Sequence, residues 1–273
     1  MTVWIVGPVA WDTVVYTDEF LVQGGSTQGK KFIERSGGTA ANVARALCTA
    51  DVETGFVGYL GDDVYGERLE AELRESKISK LALTKVEGPT SHVLILVDGS
   101  GDRTILGLAP DRLHLVSLKD VPIASGDTVV FVIWREHFLA DVKLAQEKGC
   151  KVVVGLDAVN ESALTGVDLA IGSHNDVSKD FDPNDALSRF ERIVITRGAE
   201  GSAEYSAEGK TEQAAEKVSV VDATGAGDAF LAGYLAAMSK QVSEAKQRLE
   251  LGAKWAAKTI QTESSVPPPF NQL

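Results

Sequence analysis

Asp222-Ala223-Thr224-Gly225-Ala226-Gly227-Asp228 is the stretch whose residue types and spacing come nearest to chemistry. It is a loop of small residues that runs straight into the apolar, helical stretch Leu231 to Met238. At such a helix start the unpaired N–H groups of Gly225, Ala226 and Gly227 can converge on an anion, helped by the positive end of the helix dipole, and glycine lets a phosphate come close. Asp228 stands out, because a carboxylate repels a phosphate unless a metal offsets the charge or the carboxylate itself does chemistry. A general base that takes a hydroxyl proton while the oxygen attacks a γ-phosphoryl group accounts for both features. An acidic N-cap on an ordinary glycine turn accounts for the spacing equally well.

A second glycine pair, Ser36-Gly37-Gly38-Thr39-Ala40-Ala41-Asn42, also precedes a helical pattern and could bring backbone N–H groups and the Asn42 amide to a polar ligand; taken alone it reads as common turn chemistry. Asp12 lies just beyond the first apolar run, Val3 to Val6, which closes at Gly7-Pro8. That run reads as a buried strand. Thr13 to Arg35 alternates around Gly24-Gly25 as a β-hairpin or flap, and Ser91 to Val97 with Arg103 to Leu108 forms a second hairpin about Asp98-Gly99-Ser100-Gly101-Asp102.

The elements that must position these groups alternate. Helical patterns at Ala40 to Ala50, Tyr65 to Glu75, Phe138 to Lys148 and Asn184 to Phe190 are interleaved with strands at Glu53 to Gly58, Asp127 to Trp134, Lys151 to Leu156, Asp168 to Gly172 and Arg192 to Thr196. This predicts an α/β fold with a mostly parallel sheet covered by helices on both faces. Ligands of such sheets bind beyond the carboxyl ends of the strands, which points to the loops after Val6, Trp134, Ile171 and Thr196. No repeat or long linker marks a second domain, so residues 1–273 read as one domain with lid segments at about 12–36 and 88–110 inserted.

Composition narrows the function classes. The chain has 273 residues, 44% of them hydrophobic, and Lys plus Arg against Asp plus Glu is 27 against 39, a net charge of −12. A surface built for nucleic acid is not expected from that balance. Cys48 and Cys150 fall in no metal-binding or disulfide spacing, and the four histidines are scattered. The N-terminus lacks a signal peptide's pattern and no apolar run reaches membrane-spanning length, so a cytoplasmic protein is expected.

Gly37-Gly38-x-x-Ala41-Asn42-x-Ala44 and Asp222-x-Thr224-Gly225-Ala226-Gly227-Asp228 together resemble the two signature motifs of the PfkB, or ribokinase-like, carbohydrate kinases. Gly7 with Asp12, Val57 to Gly66, Ile195 to Gly201 and Ala256 to Ile260 look like the same family, so the resemblance spans nearly the whole chain. It implies a three-layer αβα sandwich with a small β-sheet lid, and ATP with Mg2+ as cofactors. It implies Asp228 as catalytic base, with the N–H groups of Ala226, Gly227 and Asp228 as the anion hole in the Gly225 to Asp228 loop. Asp12, Gly37, Gly38 and Asn42 would bind sugar hydroxyls. Thr196, Gly198 and Gly201 would lie along ATP, with Thr224 near its phosphates and Trp255 and Ala256 near the adenine.

The chain departs from the family at Ser173-His174-Asn175-Asp176-Val177-Ser178, where many members carry Asn-x-x-Glu. Asn175 takes the first role, Ser178 stands at the glutamate, and Asp176 could supply the carboxylate after a register shift; the metal ligands are left unassigned. Ser264-Ser265-Val266-Pro267 resembles the closing segment of a potassium site found in some relatives. Gly24 to Lys31 nearly matches a P-loop, but Lys31 stands where Ser or Thr should bind magnesium and a strand pattern follows where a helix is needed.

Arg135, after the strand ending at Trp134, is expected to face the site, while Lys30 and Arg103 lie on the flaps. An inward basic group there could pair with a sugar phosphate or a carboxylate, against the alternative of a solvated charge. The reading is an ATP-dependent kinase acting on a primary hydroxyl of a ketose, fructosamine-type or related furanose sugar, as a homodimer through the lid. The alternatives are a nucleoside kinase of the same fold and a catalytically silent sugar- or nucleotide-binding regulator.

Overall fold

Val3 and Ile5 pack into one apolar cluster and Trp4 and Val6 into another, and all four are buried. A strand must be covered on both faces for that to happen. In the structure, a computed structural model that describes residues 1–19, 21–99, 103–264 and 266–272, this strand is β1 (Val3–Val6), in the interior of the main sheet. Then come β2 (Ala10–Tyr16), β3 (Lys31–Gly37), α1 (Thr39–Thr49), β4 (Thr54–Gly61), α2 (Val64–Glu75), β5 (Lys80–Val86), β6 (His92–Val97) and β7 (Arg103–Gly107). The second half runs β8 (Thr128–Phe131), α3 (Phe138–Glu147), β9 (Lys151–Gly155), β10 (Leu169–Ser173), α4 (Pro183–Ala186), β11 (Arg192–Thr196), β12 (Ser202–Ser206), β13 (Gly209–Gln213), α5 (Ala226–Ser239) and α6 (Ala245–Thr259).

The main sheet has nine strands in the order β13-β12-β11-β10-β9-β8-β1-β4-β5. It is parallel from β5 to β11, and the last two strands are antiparallel. Helices α1, α2, α5 and α6 cover one face, where Leu47, Leu69, Tyr234 and Trp255 meet Ile5, Phe56 and Val130. Helix α3 and the single turn α4 cover the other, where Phe138, Val142 and Ala186 meet Val6, Phe131 and Val154. The layers are therefore helix, sheet, helix, as expected.

A four-stranded sheet, β3-β2-β6-β7, stands apart from the main one. Strand β2 pairs antiparallel with β3 and parallel with β6. Its inner face carries Asp12, Val14 and Tyr16, and the buried residues Val14, Ile95 and Val97 form a small cluster of their own. Its strands lie at 10–16, 31–37, 92–97 and 103–107, beside the ranges of about 12–36 and 88–110 expected for a lid and overrunning the first at both ends; Ser100, Gly101 and Asp102 of the expected turn lie outside the described residues.

Four elements differ from expectation. The helix expected over 184–190 is only Pro183–Ala186, because Phe190 leaves the helical path to fill the core and bridges to Val167. Strand β5 begins and ends in lysine-containing alternation, and β12 with β13 forms a polar edge hairpin. Neither shows the continuous apolar run that announces a buried strand. Among the described residues no helix is long and apolar enough to cross a membrane.

Candidate active site

Two helix starts face each other at the mouth of the main sheet. Helix α1 is alanine-rich, a strong helix former, and begins at Gly38. The φ of Gly38 is +90°, and a Cβ there would lie 2.7 Å from the Ala10 nitrogen, the Pro8 oxygen and the Val9 Cα, so only glycine makes this turn. Its neighbour Gly37 serves another purpose, since a Cβ there would stand 2.0 Å from Asp12 Oδ2. The missing side chain is the space that the Asp12 carboxylate occupies.

Helix α5 starts at Gly225, with φ +80° and no side-chain cap. The first intrahelical bond runs from the Ala229 N–H to the Gly225 carbonyl, at 2.9 Å. The N–H groups of Ala226, Gly227 and Asp228 therefore have no acceptor inside the helix, apart from a long 3.4 Å approach of Ala226 to the Ala223 carbonyl. A Cβ on Gly227 would meet no atom within 4 Å. The turn is an open cradle of N–H groups, and Asp222 Oδ1 fixes its entry by accepting the Thr224 N–H at 2.8 Å.

Asn42 joins the two helix starts. It is 3% exposed, and its Nδ2 donates to Asp228 Oδ2 at 2.8 Å while its own Oδ1 has no partner. Burial pushes Asp228 up to about 6, held back by the Asn42 bond, the positive charge of Arg103 and a hydrogen bond from Thr39. Burial pushes Asp12 further, to about 7; the charges of Arg35 and Arg45 oppose the rise and the nearby Asp228 carboxylate adds to it. Two buried carboxylates with raised pKa values thus lie close enough for the charge of Asp228 to act on Asp12, the pattern of groups that handle protons near neutrality.

A cavity of about 230 Å³ opens beside Asp228, lined among others by Thr39, Asp157, Asp176, Thr196 and Gly227. Thr196 ends β11, and Gly198 and Gly201 bracket the tight turn into β12. Thr224 presents a buried Oγ1 without a hydrogen-bond partner. Asn175 is exposed next to Asp176, whose Oδ2 accepts the Ser173 N–H at 2.7 Å. Asp176, and not Ser178, is the carboxylate of this segment that lines the cavity.

The structure thus brings Asp12, Gly37, Gly38 and Asn42 together with Asp228 and its cradle, and sets Thr196 on the adjoining cavity. Arg135 is not in that group: it does not line the cavity, and its Nε and Nη2 both donate to Asp111 Oδ2, at 3.1 and 2.6 Å. Trp255 is fully buried, its Nε1 donating to the Pro268 carbonyl at 2.8 Å, so it packs the core and presents no face to an adenine. Sequence reasoning passed over Asp157, which lines the cavity and accepts the Trp134 N–H at 2.9 Å. Burial raises its pKa, and Asp176 raises it further. Its place after β9, at a carboxyl end of the parallel sheet, is the signal that could have found it.

The family description that matches this chain is pfkB family carbohydrate kinase, over residues 2–270. Ribokinase from Dictyostelium discoideum is 25% identical, with 96% of each chain covered. Among solved structures, a nucleoside kinase of Methanocaldococcus jannaschii, described as an archaeal member of the ribokinase family, matches with a TM-score of 0.77 at 20% identity, over 99% of this chain and 96% of that one. Phosphofructokinase-2 from Escherichia coli, in complex with potassium, gives 0.78 at 16% identity over 99% and 96%. Likeness at those identities carries the ribokinase-like fold alone, whereas the family match runs almost from end to end. The chain accordingly belongs to the PfkB family of carbohydrate kinases, phosphotransferases whose acceptor is an alcohol.

Proposed function

We propose that this kinase transfers the γ-phosphoryl group of ATP to a primary hydroxyl of a ketose, fructosamine-type or related furanose sugar. The observation that carries the reading is the position of Asp228, bonded to Asn42 on the acceptor side and belonging to the N–H cradle on the other. Asp12 and the free Oδ1 of Asn42 take sugar hydroxyls, with the Gly37-Gly38 turn backing them. Asp228 accepts the proton of the attacking hydroxyl as the new O–P bond forms and the bond to the ADP oxygen breaks. The N–H groups of Ala226, Gly227 and Asp228 hold the charge on the transferring group. Thr196, Gly198, Gly201, Asn175 and Thr224 line the nucleotide's path.

The carboxylates of Asp157 and Asp176 fit a magnesium ion, which when bound offsets phosphate charge. Arg135 has its charge taken up by Asp111 and is left out of the acceptor site. Residues 1–273 act as one domain, with the four-stranded sheet as lid over the acceptor. The lid's outer face carries Val15, Leu94 and Leu96, with Phe32 and Leu106 exposed at 69% and 56%. A second copy of the chain covering that face would make a homodimer.

The test is an ADP-release screen with magnesium and ATP across ketoses, fructosamines, aldoses and nucleosides. Turnover highest with a ketose or fructosamine supports the assignment. Preference for a nucleoside replaces the acceptor, and absence of transfer to every acceptor leaves a binding regulator.

A further inference from the structure

Asp222 lies six positions before Asp228, is 3% exposed, and has no hydrogen-bond partner for its Oδ2. A buried carboxylate at the lip of a phosphate cradle repels the ligand and destabilises the turn unless a positive charge answers it. Arg35 does so from the lid: its Nη2 stands 3.7 Å from Asp222 Oδ2, and its side chain is 14% exposed. The same guanidinium donates from Nη1 to the carbonyl of Glu263. Four residues earlier on β3, Lys31 pairs with the Glu263 carboxylate at 2.8 Å. One lid strand therefore clamps the turn before the cradle to the segment that follows α6.

We propose that Arg35 is the resident cation of the Asp222 turn, a positioning residue that sets the phosphate cradle without a monovalent metal ion. The inference rests on the anion-hole reading of Gly225 to Asp228. Two oxygens suited to holding a cation beside the potassium-like segment, Asp222 Oδ2 and the Glu263 carbonyl, both face one guanidinium. A second cation among them would meet its positive charge within a few ångströms. The guanidinium is a covalent part of the lid, so the turn keeps its counter-charge whatever the salt. Ser264 and Val266 of the potassium-like segment follow directly; Ser265 lies outside the described residues.

The experiment compares wild type, Arg35→Gln and Arg35→Lys at constant ionic strength in potassium, sodium and tetramethylammonium chloride. Three quantities are read in each salt: initial rate with the best acceptor, ADP affinity by calorimetry, and thermal midpoint. Wild type should be indifferent to the cation in all three. Arg35→Gln should lose about 10- to 100-fold in kcat in tetramethylammonium, the scale of a misplaced catalytic group. Potassium or low guanidinium should restore part of that loss and raise the variant's thermal midpoint. Potassium that raises the wild-type rate, ADP affinity or midpoint overturns the proposal, as does an Arg35→Gln protein with full activity in every salt. If Arg35→Gln does not fold, the wild-type comparison and the retained activity expected of Arg35→Lys decide. A wild type that phosphorylates no acceptor defeats the proposed function, while the melting comparison still tests Arg35.

Discussion

Asn42 and Asp228 lie 186 positions apart in sequence and share a 2.8 Å hydrogen bond that ties the start of α1 to the start of α5. The donated N–H favours the charged carboxylate, while burial favours the neutral one. Their balance leaves Asp228 at about 6, ionised enough at pH 7 to accept a proton and basic enough to hold it briefly.

The pH dependence of kcat/KM should therefore show an acid limb with a midpoint near 6, rising as pH increases because the working form is the carboxylate. Asn42→Ala removes a bond to the charged form and should move that midpoint upward by about one unit. Asp228→Asn should lower kcat by about 10²- to 10⁴-fold, the usual worth of a positioned base, with ADP affinity kept. Steady-state kinetics from pH 5 to 9 check both; a limb unmoved by Asn42→Ala contradicts the role given to the bond.

Asp12 makes a stability prediction. Its folded pKa of about 7 exceeds the ordinary 3.8, so the native state holds this proton more tightly than the unfolded chain does. The favourable contribution is complete below about pH 4 and is lost as pH rises through 7. Asp12→Asn should melt above wild type at pH 8, with a gap that shrinks toward pH 5, while the acceptor KM rises. Melting curves at the two pH values decide, and a gap that grows toward pH 5 would count against buried Asp12.

Two glycines separate the acceptor half of the site from the phosphate half. Gly37→Ala puts a methyl 2.0 Å from Asp12 Oδ2 and should displace that carboxylate, raising acceptor KM with ADP affinity retained. Gly227→Ala meets no atom within 4 Å, so the protein should melt like wild type. Its methyl instead enters the cradle, and nucleotide affinity should fall about tenfold, equivalent to ~1.4 kcal/mol. Calorimetry with ADP on both variants gives the contrast; equal losses would mean that the two halves are not distinct.

The outer face of the lid predicts the oligomer. Phe32→Glu puts a charge on that apolar surface, on the edge strand β3 beside Val15, and removes a side chain whose burial is worth about 1.5–3 kcal/mol. Sedimentation velocity should show a dimer for wild type and a shift toward monomer for the variant. A wild-type monomer at micromolar concentration disposes of the lid-to-lid contact.

The turns around Asp228 and Asn42 were legible in sequence because glycine and helix-start patterns are local, but spacing alone left an ordinary N-cap and an ordinary turn open, and only the paired motifs' resemblance to a family singled these residues out. Arg35 was not, because its partners come from remote segments. Its pairing opposite Asp12 depends on the β2-β3 register, and its approach to Asp222 depends on how the lid meets the main sheet. Asp157 sits in a 3-10 turn after an ordinary buried strand, with no glycine pattern to mark it. Arg135 was expected to face the site from strand order; it pairs with Asp111 while its charge also reaches Asp157 on the cavity, a division that strand order does not show. The edge strands β12 and β13 escaped for a related reason, since a polar hairpin has no apolar rhythm to betray it.

Strand β2 carries Asp12, strand β3 ends at Gly37, and α1 begins two residues later and holds Asn42. Everything assigned to the acceptor is thus written on one uninterrupted stretch of chain, while the phosphate-handling groups come from the second half. Recombination at two crossover points, one before Ala10 and one after Thr49, would move these groups as one cassette, and Arg35 and Asn42 would travel with it. A new acceptor segment would therefore have to bring its own counter-charge for Asp222 and its own hydrogen bond for Asp228.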